Sequence, residues 1–166
     1  CNMRLYYLDT SALLKRYKSE SGSENIYDLF ASCGSLPKRL MTSLFTIVEM
    51  ASVSDRLARQ RVFSRTFQEE LLRTFAADAR ESVHFVSMDD STVLAAAGFV
   101  RKYSLRPGDA LHLAALERAR ESVSGYDLDI VFVASDNSLC EAAIKEGFTV
   151  ANPENATRKE WKEFLG

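Results

Sequence analysis

The sequence predicts an α/β protein in three layers, with a central, mainly parallel sheet, helices on both of its faces and a helical hairpin. Short apolar runs of strand length alternate with helix-length amphipathic segments, and the second half repeats a strand–helix rhythm that is typical of a parallel sheet covered by helices. The chain has 166 residues, of which 46% are hydrophobic. This length and this composition fit one domain over residues 1–166 with a continuous core.

The first third of the chain predicts a strand followed by two helices. Residues 5–8 form a short apolar run that stops at Asp9, Thr10 and Ser11, whose side chains can cap a following helix. A second helix is expected to open at residues 23–25 and to end at Gly34, before a loop marked by Pro37. Its apolar residues recur at three- and four-residue steps: Ile26, Leu29, Phe30 and Cys33.

Residues 40–49 predict a short strand that turns into a helix, with Glu49 on or near the buried side of that helix. Its expected core contacts are Leu44, Val48 and Ala51. The next helix carries apolar residues at steps of four, namely Phe63, Phe67, Leu71 and Phe75. This spacing predicts that the two helices pair as a hairpin.

The second half predicts three strands with helices between them. Residues 83–86 and 130–134 are expected strands, and 148–150 an edge strand. One helix face is expected from Val93, Ala96, Ala97 and Val100. A break at 105–108 precedes a helix that begins at Asp109. A short helix follows Asp136 and ends at Gly147. The tail with Trp161 is expected to pack back on the surface of the domain.

Composition excludes several classes of protein. The net charge of −2 is not that of a typical nucleic-acid binder. No stretch approaches the roughly 18 apolar residues of a membrane span, so a cytoplasmic protein without a membrane partner is expected. The three cysteines, Cys1, Cys33 and Cys140, are widely spaced. They therefore favour neither a disulfide framework nor a thiolate zinc site.

Four acidic residues lie where apolar segments begin or end: Asp9, Glu49, Asp109 and Asp136. An unpaired carboxylate in apolar surroundings costs several kcal/mol, so acids gathered there need a cation, shared protons or specific hydrogen bonds. In open parallel sheets the ligand crevice lies outside the carboxyl ends of the strands. We therefore expect the four acids to converge there on a metal ion.

Each acid also has a simpler interpretation. Asp9, Asp109 and Asp136 could each be an ordinary helix N-cap, since acids near helix starts satisfy free N–H groups. Glu49 could be neutralised locally by Arg56. Basic residues near the acids, among them Arg16, Arg56 and Arg106, could simply be solvated helix faces.

The acidic segments resemble the motifs of a known family. They are, in order, YLDTSALL at residues 7–14, TSLFTIVE at 42–49, GDALHLA at 108–114 and VASD at 133–136, followed by GFTVANP at 147–153. In order and spacing they are similar to the PIN-domain family, and more narrowly to its toxin-type ribonucleases, the VapC group of bacterial and archaeal toxin–antitoxin systems. The resemblance covers nearly the whole chain and implies the three-layer PIN-like fold.

The resemblance implies a metal-dependent endoribonuclease whose acidic pocket is Asp9, Glu49, Asp109 and Asp136. Asp9 and Asp109 are expected to anchor Mg²⁺, with Mn²⁺ as a substitute, since these hard ions prefer carboxylate oxygens. Glu49 and Asp136 would complete the pocket through water, a second ion or orientation of the nucleophile. Products would carry a 5′-phosphate and a 3′-hydroxyl. The resemblance also implies a homodimer and a cognate antitoxin that covers the pocket.

Other roles and other functions remain open at this point. Thr10 or Ser11 could hold water or a phosphate oxygen, although an N-cap is the simpler role. His112, one turn after Asp109, could be a general base, although a lone histidine is more often structural. Arg16, Arg56 and Arg106 are candidate contacts for RNA phosphates.

Two rival functions are weighed against the nuclease. A haloacid-dehalogenase-type phosphatase needs a second aspartate two positions after the first, and position 11 is Ser. A noncatalytic PIN-like scaffold is the stronger rival, because acids can persist in a fold that lacks activity.

Overall fold

A computed structural model describes residues 3–33 and 39–165. Its five strands form one sheet in the order β3-β2-β1-β4-β5, and every neighbouring pair is parallel. The strands are β1 (Met3–Leu8), β2 (Leu40–Ser43), β3 (Val83–Val86), β4 (Leu128–Val133) and β5 (Thr149–Ala151). The predicted parallel sheet is confirmed. Expectations that fall on Cys1, Gly34 and Pro37 lie outside the described residues.

Eight helices accompany the sheet in the described part of the chain. They are α1 (Thr10–Leu14), α2 (Ser23–Cys33), α3 (Thr46–Arg59), α4 (Arg65–Glu81), α5 (Asp90–Tyr103), α6 (Pro107–Ser122), α7 (Asn137–Lys145) and α8 (Arg158–Leu165). Within residues 3–33 and 39–165, none of them is long and apolar enough to cross a membrane.

Two hydrophobic cores, one on each face of the sheet, make the three layers. Side chains alternate between faces along a strand, so Leu5 and Tyr7 of β1 enter one core while Tyr6 and Leu8 enter the other. The first core is completed by α5, α6 and α7, and the second by α1 to α4 and α8. The predicted α/β/α architecture is therefore confirmed.

The centre of the sheet is a topological switch point. Strands β1 and β4 are neighbours, and their last residues, Leu8 and Val133, are paired. From these ends the chain enters α1 on one face of the sheet and α7 on the other. A crevice forms where two adjacent strands lead to opposite faces, and ligands bind there in open α/β sheets.

The helical hairpin of α3 and α4 is also present, but α3 buries a different stripe from the one predicted. Leu44, Val48 and Ala51 are exposed, so their prediction as core contacts is wrong. The buried residues of α3 recur at steps of four and are Thr46, Met50 and Ser54. A polar stripe can be buried here because the Thr46 hydroxyl is hydrogen-bonded to that of Thr42, at 2.7 Å.

The predicted stripe of α4 is confirmed in part. Leu71 and Phe75 are buried. The helix starts only at Arg65, after the N-cap Ser64, so Phe63 lies before it and packs against the exposed Phe67 with ring centroids 5.0 Å apart and the rings tilted by 53°. This aromatic pair covers the tip of the hairpin.

The buried face of α5 is rotated relative to the predicted one. Ala96 is buried and Val100 packs against the core, whereas Val93 and Ala97 are exposed. Thr92 is buried instead, because its backbone N–H and its hydroxyl both donate to the N-cap carboxylate of Asp89.

The tail forms helix α8, which is anchored to the first strand. The tail packs back on the rest of the protein as predicted, and Trp161, which is 1% exposed, enters the second core. The Tyr6 hydroxyl donates to the carbonyl of Phe164 at 2.9 Å, and the Arg4 guanidinium donates to the carbonyls of Glu163 and Phe164. These contacts satisfy carbonyl groups at the end of the helix.

Candidate active site

Asp9 and Asp136 stand at the two sides of the switch point. Each is the N-cap of the helix that follows, since Oδ1 of Asp9 accepts from the Ala12 N–H at 2.8 Å and Oδ1 of Asp136 from the Leu139 N–H at 2.9 Å. The capping interpretation is correct for both. Capping engages only one carboxylate oxygen, so the other remains for a second partner.

Asp109 is not a cap. Helix α6 begins at Pro107, and its N-cap, Arg106, makes no side-chain capping hydrogen bond. Proline is well suited to the first helical position because its fixed φ matches the helix and its missing N–H is not needed there. Asp109 therefore lies in the first turn, as its predicted place near the helix start requires, and only its capping interpretation is wrong.

Arg106 joins two of the acids. Its Nε donates to Asp109 Oδ2 at 3.1 Å and its Nη2 donates to Asp136 Oδ2 at 2.9 Å. The Arg106 side chain is 77% exposed, so these ion pairs lie at the mouth of the crevice. One cation is thus shared by two carboxylates that are 27 residues apart in the sequence.

Glu49 lies on the inner side of α3, with its side chain 25% exposed. Its Oε2 accepts from His112 Nε2 at 2.7 Å and from the Thr10 hydroxyl. A Cβ atom at Gly108 would lie only 2.8 Å from its Oε1, so the carboxylate rests against the start of α6. The alternative in which Arg56 neutralises Glu49 is wrong, because His112 and Thr10 hold the carboxylate instead.

The hydroxyls after Asp9 do not cap α1. The Ser11 hydroxyl donates to Asp9 Oδ2 at 2.8 Å, and the Thr10 hydroxyl contacts both Glu49 and His112. Thr10 directly follows Asp9, so its hydroxyl links the start of α1 to Glu49 at the carboxyl edge of the sheet.

The pKa values of the acids are shifted by burial, by hydrogen bonds and by the charges of their neighbours. Burial raises the pKa of Asp9; His112 and the hydrogen bonds from the Ala12 N–H and the Ser11 hydroxyl oppose this rise, and the charge of Asp109 adds to it. Burial also raises the pKa of Asp109; the Arg106 guanidinium opposes this effect, while the charge of Asp136 reinforces it. Burial acts in the same direction on Glu49, but the hydrogen bonds from His112 and Thr10 outweigh it and lower its pKa.

The structure thus places all four predicted acids at one edge of the sheet, held by different partners. In the described residues, no group of three or more His, Cys, Asp or Glu side chains is arranged to hold a metal ion as it stands. The donors are nevertheless carboxylate and hydroxyl oxygens, which suit Mg²⁺ or Mn²⁺, and a guanidinium already neutralises two of them. The chemistry of the site therefore fits a hard divalent cation.

Three contributions to the site were not found from the sequence. They are the bridge made by Arg106, the contact of His112 with Glu49 and the contact of the Tyr7 hydroxyl with His112. The proximity of Arg106 and His112 to Asp109 in the chain was a signal for both. Nothing in the sequence distinguished Tyr7 from any other strand residue.

Comparisons with known proteins identify the fold. The sequence matches the PIN domain family over residues 6–145. The structure is similar to a solved toxin–antitoxin complex from Klebsiella pneumoniae, with a TM-score of 0.57 and 16% identity over 89% of this chain and 97% of that chain. It also matches a member of the VapBC family of toxin–antitoxin systems, VapBC-5 from Mycobacterium tuberculosis, with a TM-score of 0.49 and 15% identity over 90% and 96% of the two chains. No curated protein sequence matches.

We expect Asp9→Asn to stabilise the metal-free chain at neutral pH, because Asn keeps a capping oxygen and removes a buried charge. Because the pKa of Asp9 is raised on folding, the free energy of unfolding of the wild type falls as pH rises from the unfolded pKa, about 3.9, through the folded pKa. The increase in the free energy of unfolding caused by Asp9→Asn should be complete above the folded pKa of Asp9 and disappear below about pH 3.9. Urea unfolding in EDTA over this range measures it.

The exposed Asp127 supplies the control for this experiment. Asp127→Asn removes the same charge without removing a buried one, so it should change stability little at any pH. A gain for Asp9→Asn that does not depend on pH would contradict the assigned cause.

Proposed function

We propose that this chain, which belongs to the PIN domain family, is a metal-dependent endoribonuclease, formed by residues 1–166 as one domain, and the toxin of a toxin–antitoxin pair. PIN domains are generally nucleases. The observation that carries the proposal is the gathering of Asp9, Glu49, Asp109 and Asp136 at the switch point, with two of them on one cation. Mutual repulsion of these groups is what a divalent ion would relieve.

Asp9 and Asp109 are the proposed metal anchors. Burial disfavours the ionised form of both, so a cation between them would be bound strongly. Asp136, through the oxygen not used in capping, and Glu49 complete the pocket and orient the nucleophile. A bound Mg²⁺ or Mn²⁺ would supply a water of lowered pKa and neutralise charge that develops on the phosphate, giving a 5′-phosphate and a 3′-hydroxyl.

Arg106 is the best placed of the candidate RNA contacts. It is exposed at the mouth of the crevice, so a phosphate could replace Asp109 and Asp136 as its partner once a metal ion neutralises them. Arg16 is less available, since it pairs with Asp78 at 3.4 Å and lies over the ring of Phe30. Arg56 is exposed on α3, away from these pairs.

The alternative function is a noncatalytic PIN-like scaffold. The absence of a ready-made metal cluster among the described residues favours it. The low pKa of Glu49 and its fixed carboxylate favour catalysis instead, because a scaffold has no need of a held, ionised acid beside three others.

We expect Asp9→Asn to lower RNA cleavage by more than about 100-fold, because loss even of an indirect partner of a metal site costs up to that factor. Mg²⁺ or Mn²⁺ binding should weaken in parallel, while circular dichroism shows an intact fold. The assay uses a broad panel of single-stranded and structured RNAs, with and without EDTA.

Asp127→Asn is again the matched control and should cleave at the wild-type rate. Wild-type activity in Asp9→Asn would reject Asp9 as an anchor. A wild type that is folded and free of inhibitor, yet cleaves none of the panel with either metal, would support the scaffold.

We expect Arg106→Gln to raise the affinity for Mn²⁺ about two- to five-fold at low ionic strength, because the guanidinium competes for the same two carboxylates and is mostly exposed. The gain should shrink as salt is added. Titration of free Mn²⁺ by electron paramagnetic resonance gives the affinity. Arg101→Gln makes an equal change of charge on the exposed side of α5 and should leave the Mn²⁺ affinity unchanged. Equal gains in affinity for the two variants would show a general charge effect instead.

The proposed partners are a second copy of the chain and a small antitoxin that covers the pocket with a basic side chain. The K. pneumoniae neighbour is itself a toxin–antitoxin complex, which supports the second partner. Two pairs of exposed apolar side chains, Ile47 and Val48 on α3 and Val93 and Leu94 on α5, are the candidate contacts for a second copy.

We expect the tagged chain, isolated from the cells that naturally produce it, to elute as two copies bound to a small protein. Light scattering gives the mass, and overproduction of the chain without that protein should arrest growth. Elution as a lone chain, with unaffected growth, would contradict the toxin assignment but would leave the nuclease chemistry untouched.

A further inference from the structure

The buried histidine of the site is placed to act on Glu49. His112 lies one turn after Asp109 on α6, and its side chain is 3% exposed. The other histidine of the sequence, His84, is exposed on the edge strand β3. A buried imidazole needs partners for both of its nitrogens, since an unpaired buried polar atom is costly.

Both nitrogens of His112 have a partner. Nε2 lies 2.7 Å from Glu49 Oε2 and 3.0 Å from the Thr10 hydroxyl, and Nδ1 lies 3.2 Å from the Tyr7 hydroxyl. The Tyr7 ring meets the imidazole edge-on, with an interplanar angle of 83°. The imidazole plane is therefore fixed by contacts on two sides.

The hydrogen-bonding capacity of the partners assigns the proton. An ionised Glu49 can only accept, so Nε2 carries the hydrogen. Tyr7 is completely buried, and its phenol is protonated at neutral pH, so the hydroxyl can donate to Nδ1, which lies 3.2 Å away. A neutral imidazole with hydrogen on Nε2 satisfies every one of these contacts.

We propose that His112 is a positioning residue for Glu49, and that Tyr7 fixes the imidazole in the tautomer that this role requires. The inference rests on the proposed function, because it takes Glu49 to belong to the catalytic pocket. Oε2 is held by His112 and Thr10, and the backbone of Gly108 limits the space at Oε1. The carboxylate therefore has one orientation, with Oε1 beside the helix turn that carries Asp109.

The same geometry argues against a general-base role for His112. In the assigned tautomer Nε2 is a donor and has no lone pair for a proton from water, while Nδ1 is covered by Tyr7. A side chain that is 3% exposed also offers little room for a water beside it. His112 acts through Glu49.

The tautomer is tested on the wild-type, metal-free protein by long-range ¹H–¹⁵N correlation of the imidazole rings. Only two histidines contribute, and exposed His84 serves as the internal reference. We expect His112 to show a protonated Nε2 and an unprotonated Nδ1. In Tyr7→Phe the Nδ1 signal should move toward that of an acceptor without a hydrogen bond. A proton on Nδ1 in the wild type would overturn the proposal, whatever the RNA assay shows.

The positioning role is tested by two replacements of similar length. His112→Gln keeps an N–H donor near the position of Nε2, and His112→Met removes it. We expect kcat to fall about 10- to 100-fold in His112→Met with KM for RNA unchanged, and to recover to within a few-fold of wild type in His112→Gln. Thermal unfolding identifies any variant that fails to fold, and the wild-type spectrum still tests the proposal in that case.

The outcomes separate the two proposals. Equal activity in wild type and a folded His112→Met would overturn the positioning role while leaving the nuclease intact. Equal losses in His112→Gln and His112→Met, with both folded, would also overturn it, since the donor would then not matter. No cleavage by the wild type would reject the nuclease, while the imidazole spectrum would still decide whether His112 holds Glu49.

Discussion

The repulsion between acids at the carboxyl edge of β1 and β4 is the constraint around which this molecule is organised. Each acid has a different means of reducing it. Asp9 accepts hydrogen bonds from the Ala12 N–H and the Ser11 hydroxyl, Glu49 is held by His112 and Thr10, and Asp109 and Asp136 share Arg106. The site is therefore partly neutralised by the protein itself.

The order of the strands explains how distant segments reach this edge. Because β1 and β4 are neighbours and their helices leave toward opposite faces, the residues after Leu8 and Val133 flank one crevice. Helices α3 and α6 approach the same crevice from opposite faces of the sheet, and the lack of a side chain at Gly108 lets them come close enough for Glu49 to touch the start of α6. A side chain there would collide with Glu49 Oε1 and displace the carboxylate from its position.

Much of the fold, and the gathering of the four acids at one edge of the sheet, could be predicted from the sequence, because strand runs and turn residues are local signals. The partners of the acids could not be predicted, since Arg106 meets Asp136 across 30 positions and His112 meets Glu49 across 63. The buried stripe of α3 was missed for a related reason. Hydrophobic periodicity assumes that apolar residues are inside, whereas Thr46 is buried through a hydrogen bond to Thr42 and Val48 faces solvent.

The anchoring of α8 on the first strand also affects how the protein is made. The indole of Trp161 fills part of the core that covers β1, and the Tyr6 hydroxyl needs the carbonyl of Phe164. During translation the part of this core that Trp161 fills stays open until residues near position 165 have left the ribosome, so this side of the sheet is completed last.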